Sequence, residues 1–167
     1  MNMDLLRAQL TKHEGERLKP YRDTVGKLTI GIGRNLDDVG ISHDEAQLLL
    51  TSDIVSAMDG LDRAFPWWRE LSDVRQMVIV DMAFNMGLTT LSKFVNTLGA
   101  MERGEYDAAS HGMLQSKWAR QVGGRAQTLA RMMKIGELSW LPKNNWNRKS
   151  RRWSVQLIAL WMRGYRR

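Results

Sequence analysis

The 167 residues, 43% of them hydrophobic, are enough for one domain or for two small lobes sharing a core. No cysteine is present, so the fold needs no disulfide and can form in a reducing cytoplasm. The chain has no run of 18 apolar residues and no basic-then-apolar leader, which argues against a membrane span and a cleaved signal. The net charge of +7 is a property of the chain's end: residues 141–167 hold eight Lys or Arg and no acid, leaving 17 basic against 18 acidic residues in 1–140. A body at −1 argues against a protein that grips nucleic acid along its surface.

In chain order, Met3 to Glu14 gathers Leu5, Leu6, Leu10 and His13 on one face, which predicts a short helix stopped by Gly15. Leu28, Ile30 and Ile32 then alternate with Thr29, Gly31 and Gly33, a period-2 strand with one apolar face. Its expected partner is Leu18–Asp23, joined through Thr24–Lys27 with Gly26 supplying the turn. This small sheet is the only one the sequence predicts. Ser42-His43-Asp44-Glu45 has the capping-box pattern, and the periodic run Ala46 to Leu61 is long enough to bridge two lobes before Pro66 ends it. Ser72 is placed to cap the next helix, which carries Val74, Met77, Val78, Val80, Met82 and Phe84 and stops at Gly87. Apolar around most of its circumference, it is the expected buried axis of a helical lobe. Shorter helices are predicted over Leu91–Arg103, Tyr106–Ser116 and Arg125–Ile135, with Gly123-Gly124 separating the last two. His13, His43 and His111 are scattered and have no Cys partners, so no metal and no cofactor are expected.

The segment His13 to Gly33, "HEGERLKPYRDTVGKLTIGIG", is where chemistry is legible. Glu14 stands at the negative end of a helix dipole, where a cation would be the stabilising choice. Asp23 leads into the hairpin turn. Two carboxylates in unlike surroundings are the minimum equipment for cleaving a glycosidic bond: one donates a proton to the leaving oxygen, the other activates water or stabilises the sugar cation. The dipole favours a protonated Glu14 by only about 0.3–1 kcal/mol, so desolvation in a cleft must supply the rest. Thr29 lies on the strand face shared with Gly31 and Gly33, where an attacking water between Asp23 and Thr29 would fit. Each feature also has a bland reading: a frayed helix-end acid, an Asx-turn at Asp23, a bulge at the glycines.

Taken together, the stretch resembles the catalytic segment of the phage-type lysozymes, the muramidase endolysins typified by the T-even phage enzyme. That family has a Glu after the first helix, an Asp nine residues on and a Thr six further; those positions here are Glu14, Asp23 and Thr29, followed by "TIGIG". The resemblance continues in order through "DEAQLLLTSD", "AFNMG", "FVNTL", "YDAA" and "SKWARQVGGRA". It implies an α+β, mainly α fold: a small α/β lobe at about 13–55, a helical lobe at about 56–140 joined by the first helix, and a long helix connecting them around a cleft. It also implies hydrolysis of peptidoglycan between N-acetylmuramic acid and N-acetylglucosamine, inverting or retaining, with Glu14 as acid and Asp23 and Thr29 positioning the water or stabilising the sugar cation, in a monomer that needs no cofactor. Phe84 and Thr97 line up with saccharide-contacting positions, Asn85 with a polar cleft position, and Arg125 with an arginine that pairs with the catalytic acid. Trp118 is expected to pack near the cleft without stacking on sugar. Arg34 stands where the T-even type often has His and is expected to bridge to Asp53, and a sugar-contacting Asn is replaced by Gly112. The alternative is a non-catalytic wall- or envelope-binding protein on the same fold.

Residues 141–167 lie beyond the recognised body of 1–140. If Trp153 to Tyr165 is helical, Trp153, Leu157, Leu160, Trp161 and Met162 gather on one side with arginines at both ends. That is the pattern of an interfacial amphipathic helix, for which an anionic bacterial membrane or lipopolysaccharide surface is the expected target; docking on the helical lobe and nucleic-acid contact are the competing readings. A chain of this kind is expected to accumulate in the host cytoplasm and reach the peptidoglycan after holin-type permeabilisation.

Overall fold

The computed structural model describes residues 1–138, so the expected amphipathic helix at Trp153 to Tyr165 lies outside the described residues. The described chain is mainly helical with one small antiparallel sheet, as the α+β expectation requires. It divides into two compact units between Val55 and Ser56. Among the described residues no helix is long and apolar enough to cross a membrane.

The first unit opens with α1 (Met3–Glu14), begun by Asn2, whose Oδ1 accepts the N–H groups of Asp4 and Leu5 at 3.0 and 3.1 Å. The expected apolar face of α1 is not a buried one: no residue of the helix is buried, and Leu5 and Leu10 are exposed. By packing, α1 falls in the same unit as the strands, Met1–Val55. Strands β1 (Arg17–Arg22), β2 (Leu28–Gly31) and β3 (Arg34–Asn35) follow in spatial order β1-β2-β3. The third strand was not foreseen; two residues are too few to show a period. Tyr21 pairs with Thr29 and Arg22 with Leu28, while Arg17 pairs with Gly31, so β1 bulges around Pro20, which has no N–H to give. The turn forms as expected, with Gly26 N–H donating to Asp23 O at 3.0 Å. The predicted apolar face of β2 is corrected. Thr29 is the buried residue of the strand, Leu28 and Ile30 are half-buried, and Ile32 lies past the strand's end and is exposed.

Helix α2 (His43–Ala64) runs through the boundary between the units, about 33 Å long at 1.5 Å per residue. Its start is the reciprocal box read from the sequence: Ser42 N–H donates to Glu45 Oε2 at 2.7 Å and Glu45 N–H to Ser42 Oγ at 3.2 Å. At its far end Asp62 accepts from Arg69 Nε and Nη2 and from Trp68 Nε1, each at 2.8 Å, fixing a short 3-10 turn, Pro66–Glu70, against the helix.

The second unit continues with α3 (Asp73–Met86), α4 (Leu88–Leu91), α5 (Val95–Glu102), α6 (Tyr106–Gln115), α7 (Lys117–Val122) and α8 (Gly124–Ile135). Its core draws on Leu61, Trp68, Ile79, Met82, Met101 and Met133 among others, all fully buried. Helix α3 buries Val78, Ile79, Met82 and Ala83 but exposes Met77 and Phe84, so it is half an axis and half a surface. Ser72 stands at its N-cap without making the side-chain cap bond; its Oγ faces Arg75 Nη1 at 3.5 Å instead. The predicted helix Leu91–Arg103 is two helices broken at Ser92–Phe94, and α7 is an addition.

Candidate active site

Glu14 is the last residue of α1, and Gly15 is why it stands at a helix end. Gly15 has φ 72°, a backbone that side chains resist, and its N–H closes on the carbonyl of Thr11 at 2.9 Å. The carboxylate of Glu14 is exposed and accepts no hydrogen bond among the described residues. Gly33, with φ 74°, lies against it: a Cβ there would stand 3.4 Å from Glu14 Oε2. That is ordinary van der Waals contact, so what resists a side chain at 33 is the positive φ more than the space.

Asp23 and Thr29 are tied to one peptide, that of Lys27. Asp23 Oδ1 accepts the N–H groups of Val25 and Lys27 at 3.0 and 2.9 Å, and its own N–H donates to Lys27 O at 3.0 Å. Thr29 Oγ1 donates to the same carbonyl at 3.2 Å. The Asx-turn is therefore real, and it uses one carboxylate oxygen; Oδ2 makes no hydrogen bond among the described residues. Thr29 is 3% exposed, so the flanking glycines do not leave its side chain open in the way their size suggests. Its proton is engaged by Lys27 O, and only its lone pairs remain to accept. The role of Lys27 is carried by its backbone, and no side-chain pattern could have announced it.

Arg34 bridges to Glu45 and not to Asp53, and also donates to Gly40 O at 3.4 Å. The capping box holds Glu45 at the first turn of α2 beside β3, whereas Asp53 lies eight residues, about 12 Å, further along that helix and is exposed.

The remaining candidates belong to the second unit. Phe84 is 42% exposed near the end of α3, which removes the ordinary-core reading of that aromatic. Asn85 Oδ1 accepts from Trp118 Nε1 at 2.8 Å, and Trp118, 4% exposed, is a packed residue as expected. Arg125 donates from Nε to Asp81 Oδ1 at 2.9 Å, and its Nη2 stands 2.8 Å from the same oxygen in an ion pair. Asp81 was missed, although Asp81 and Asn85, four apart and the two polar residues of the stretch Met77 to Met86, form a polar strip that the spacing displays. Thr97 is buried on α5 against Gly112 of α6, where a Cβ would overlap Thr97 Oγ1. The Thr97 hydroxyl occupies the place that a side chain at 112 would take.

Comparison with known proteins covers most of this body. The chain is 29% identical over 157 residues to the pre-baseplate central spike protein Gp5 of Enterobacteria phage T4, an alignment that takes in 77% of this chain but spans only 27% of that protein's length. It is 26% identical to the probable T4-type lysozyme 2 of Dictyostelium discoideum, covering 80% of this chain and 95% of the relative. The SAR-endolysin of Escherichia phage Mu is 26% identical, over 82% of this chain and 79% of its own. The profile described as Phage lysozyme matches residues 11–134, which include every residue of the candidate site, and the chain belongs to the phage lysozyme family.

Proposed function

We propose that the chain is a glycoside hydrolase that cleaves the β-1,4 bond between N-acetylmuramic acid and N-acetylglucosamine in peptidoglycan. The observation that carries this reading is the unequal treatment of two carboxylates: Asp23 is fastened to a turn through one oxygen, while Glu14 has no hydrogen-bond partner among the described residues. Glu14, protonated, donates to the departing glycosidic oxygen. A water molecule gives one proton to Asp23 Oδ2 and directs the other at a Thr29 lone pair, which leaves its own lone pair for the anomeric carbon. The hydrogen bonds from Val25 and Lys27 hold Oδ1 and leave Oδ2 for the water. Glu14 is exposed, so exclusion of water from the acid accompanies glycan binding. Phe84, Asn85 and Thr97 contact the saccharide, with Arg125 held by Asp81 near the same helix end.

The test is turnover of soluble wall fragments by Glu14→Gln. The amide cannot donate the proton, and a fall of at least about a hundredfold with an unchanged melting temperature is expected. Clearance at the wild-type rate would remove Glu14 from the mechanism. A wild-type protein that binds wall but never cuts it would favour a non-catalytic wall-binding role. Residues 141–167 are proposed as an envelope contact reached once the inner membrane is opened. Their removal should spare cleavage of soluble fragments and reduce lysis of whole cells, with the deficit shrinking at high salt.

A further inference from the structure

One peptide group, between Lys27 and Leu28, serves both residues proposed to hold the water. Its oxygen accepts the Asp23 N–H at 3.0 Å and the Thr29 hydroxyl at 3.2 Å. Its other end is held too: the Leu28 N–H donates to Asp37 Oδ2 at 2.9 Å. The register of β2 with β3 makes this bond possible. Asn35 pairs with Thr29, and the Leu36 N–H donates to Leu28 O at 2.7 Å, which brings the next residue, Asp37, back to the Leu28 N–H. Strand β3 ends at Asn35, and past that end a side chain takes the part of a strand carbonyl. The peptide is therefore gripped on both sides, by a carboxylate at its N–H and by Asp23 and Thr29 at its oxygen. Hydrogen bonds in such a chain polarise one another, so a peptide that donates to a carboxylate is the better acceptor at its oxygen.

Asp38, next in the chain, grips the same neighbourhood differently. Its carboxylate pairs with Lys27 Nζ at 2.8 Å and accepts from Asn35 Nδ2 at 2.9 Å, so it holds the Lys27 side chain and leaves the peptide alone. Asp37 is exposed, and water could satisfy the Leu28 N–H in its place, which makes the bond a weak contributor to stability. Water is not tethered to β3, however, and would let the peptide tilt. A tilt displaces the Asp23 N–H and the Thr29 hydroxyl together, and with them the oxygens that would face the attacking water. We infer that Asp37 is a positioning residue for the hydrolysis: through the Lys27–Leu28 peptide it fixes Asp23 Oδ2 and the Thr29 lone pairs relative to each other. It acts through that peptide and not on the substrate. The inference rests on the reading of Asp23 and Thr29 as the groups that hold the water.

The test is steady-state turnover of soluble wall fragments by the full-length protein and three variants. Asp37→Ala should lower kcat about tenfold, part of the roughly hundredfold or more that a placed base supplies. Its KM should stay within about twofold of wild type, the mark of an interaction made in the transition state and not in glycan binding. Asp37→Asn keeps an acceptor at the same reach and should hold kcat to within about threefold. Asp38→Ala loses an exposed ion pair but not the bond to the peptide, and should also stay within about threefold. All three should melt within a few degrees of wild type. In the isotopically labelled wild type, a scalar coupling across the hydrogen bond should join the Leu28 nitrogen to the Asp37 carboxyl carbon, and its absence overturns the inference whatever the variants do. Wild-type kcat in Asp37→Ala overturns it as well. So does a loss shared equally by Asp38→Ala, left unrescued by Asp37→Asn, or accounted for by a rise in KM. A wild type that cuts no wall fragment removes the hydrolase reading and this inference with it; full turnover by Asp37→Ala beside an inactive Glu14→Gln removes this inference alone.

Discussion

The stretch up to Val55 and the stretch from Ser56 onward are held by different forces. Among the described residues every buried apolar side chain belongs to the second, from Leu61 to Met133; the first buries Thr29. What the first has instead is a chain of side-chain acceptors for backbone N–H groups. Asn2 caps α1, Asp23 closes the hairpin turn, Asp37 Oδ2 takes the N–H of Leu28 at 2.9 Å, Asn35 takes that of Asp38, and Ser42 and Glu45 cap α2. Packing holds a shape without regard to direction, whereas hydrogen bonds fix atoms at defined angles. The proposed proton-transfer groups sit on the part held by directional bonds. The proposed sugar contacts sit on the part held by packing.

The largest effect that would sharpen this contrast is a hole in the apolar core. Ile79→Ala removes three carbons from a fully buried position on α3 and should cost about 2–5 kcal/mol, seen as a loss of several degrees or more in melting temperature. An effect below about 1 kcal/mol would mean the core closes around the gap. Next is Asp62→Ala. The Arg69 pair is nearly half exposed and worth little in water, but Trp68 is fully buried and would be left with an unpartnered indole N–H. A loss of about 1–2 kcal/mol is expected from that group. Arg69 holds the Asp62 carboxyl below its ordinary value, helped by Trp68. A value lowered by folding stabilises above the ordinary carboxylate range and is lost as the pH falls through the lowered one, so the penalty of Asp62→Ala should shrink in acid. Denaturant titrations at neutral and acid pH check it.

What was legible in the sequence divides along the same line. Local hydrogen-bond chemistry is written in adjacent letters: the bounds of α1, the Gly26 turn and the Ser42–Glu45 box can all be read from a few residues. Periodicity was less reliable. Leu91, Val95 and Leu98 keep a helical spacing straight through the break at Ser92–Phe94, where α4 has ended at Leu91 and Phe94, with ψ 45°, precedes the start of α5. A six-residue helix such as α7 shows no period at all; its one signal is Ser116, which accepts the N–H of Ala119 at 3.0 Å. Hydropathy put the buried face of β2 on the isoleucines, yet Thr29 is the buried residue, because its hydroxyl is satisfied by Lys27 O. The candidate acids were legible from type and spacing, but their partners were not. Arg34 took Glu45 over Asp53 for a reason the capping box already contained: a glutamate fixed at the first turn has one place to be.

That glutamate supports the smallest and most discriminating prediction. Ser42→Ala removes the hydroxyl that accepts the Glu45 N–H and should cost about 1 kcal/mol at neutral pH, the usual worth of an N-cap. Glu45→Gln keeps the size and the helix propensity but removes the charge. The Glu45 carboxyl is held below its ordinary value first by the Ser42 backbone N–H, then by the Ser42 hydroxyl and by Arg34. Its stabilisation is therefore present at neutral pH and fades as the pH drops below the ordinary carboxylate range, through the lowered folded value. Wild type and Glu45→Gln should differ in hydrogen exchange at the start of α2 near neutrality and converge in acid. The Ile79→Ala deficit, which involves no titrating group, should persist across the same range. A Glu45→Gln deficit that survives acidification undiminished would mean that shape, and not charge, holds this end of the helix, and the contrast between the two units would lose its clearest example.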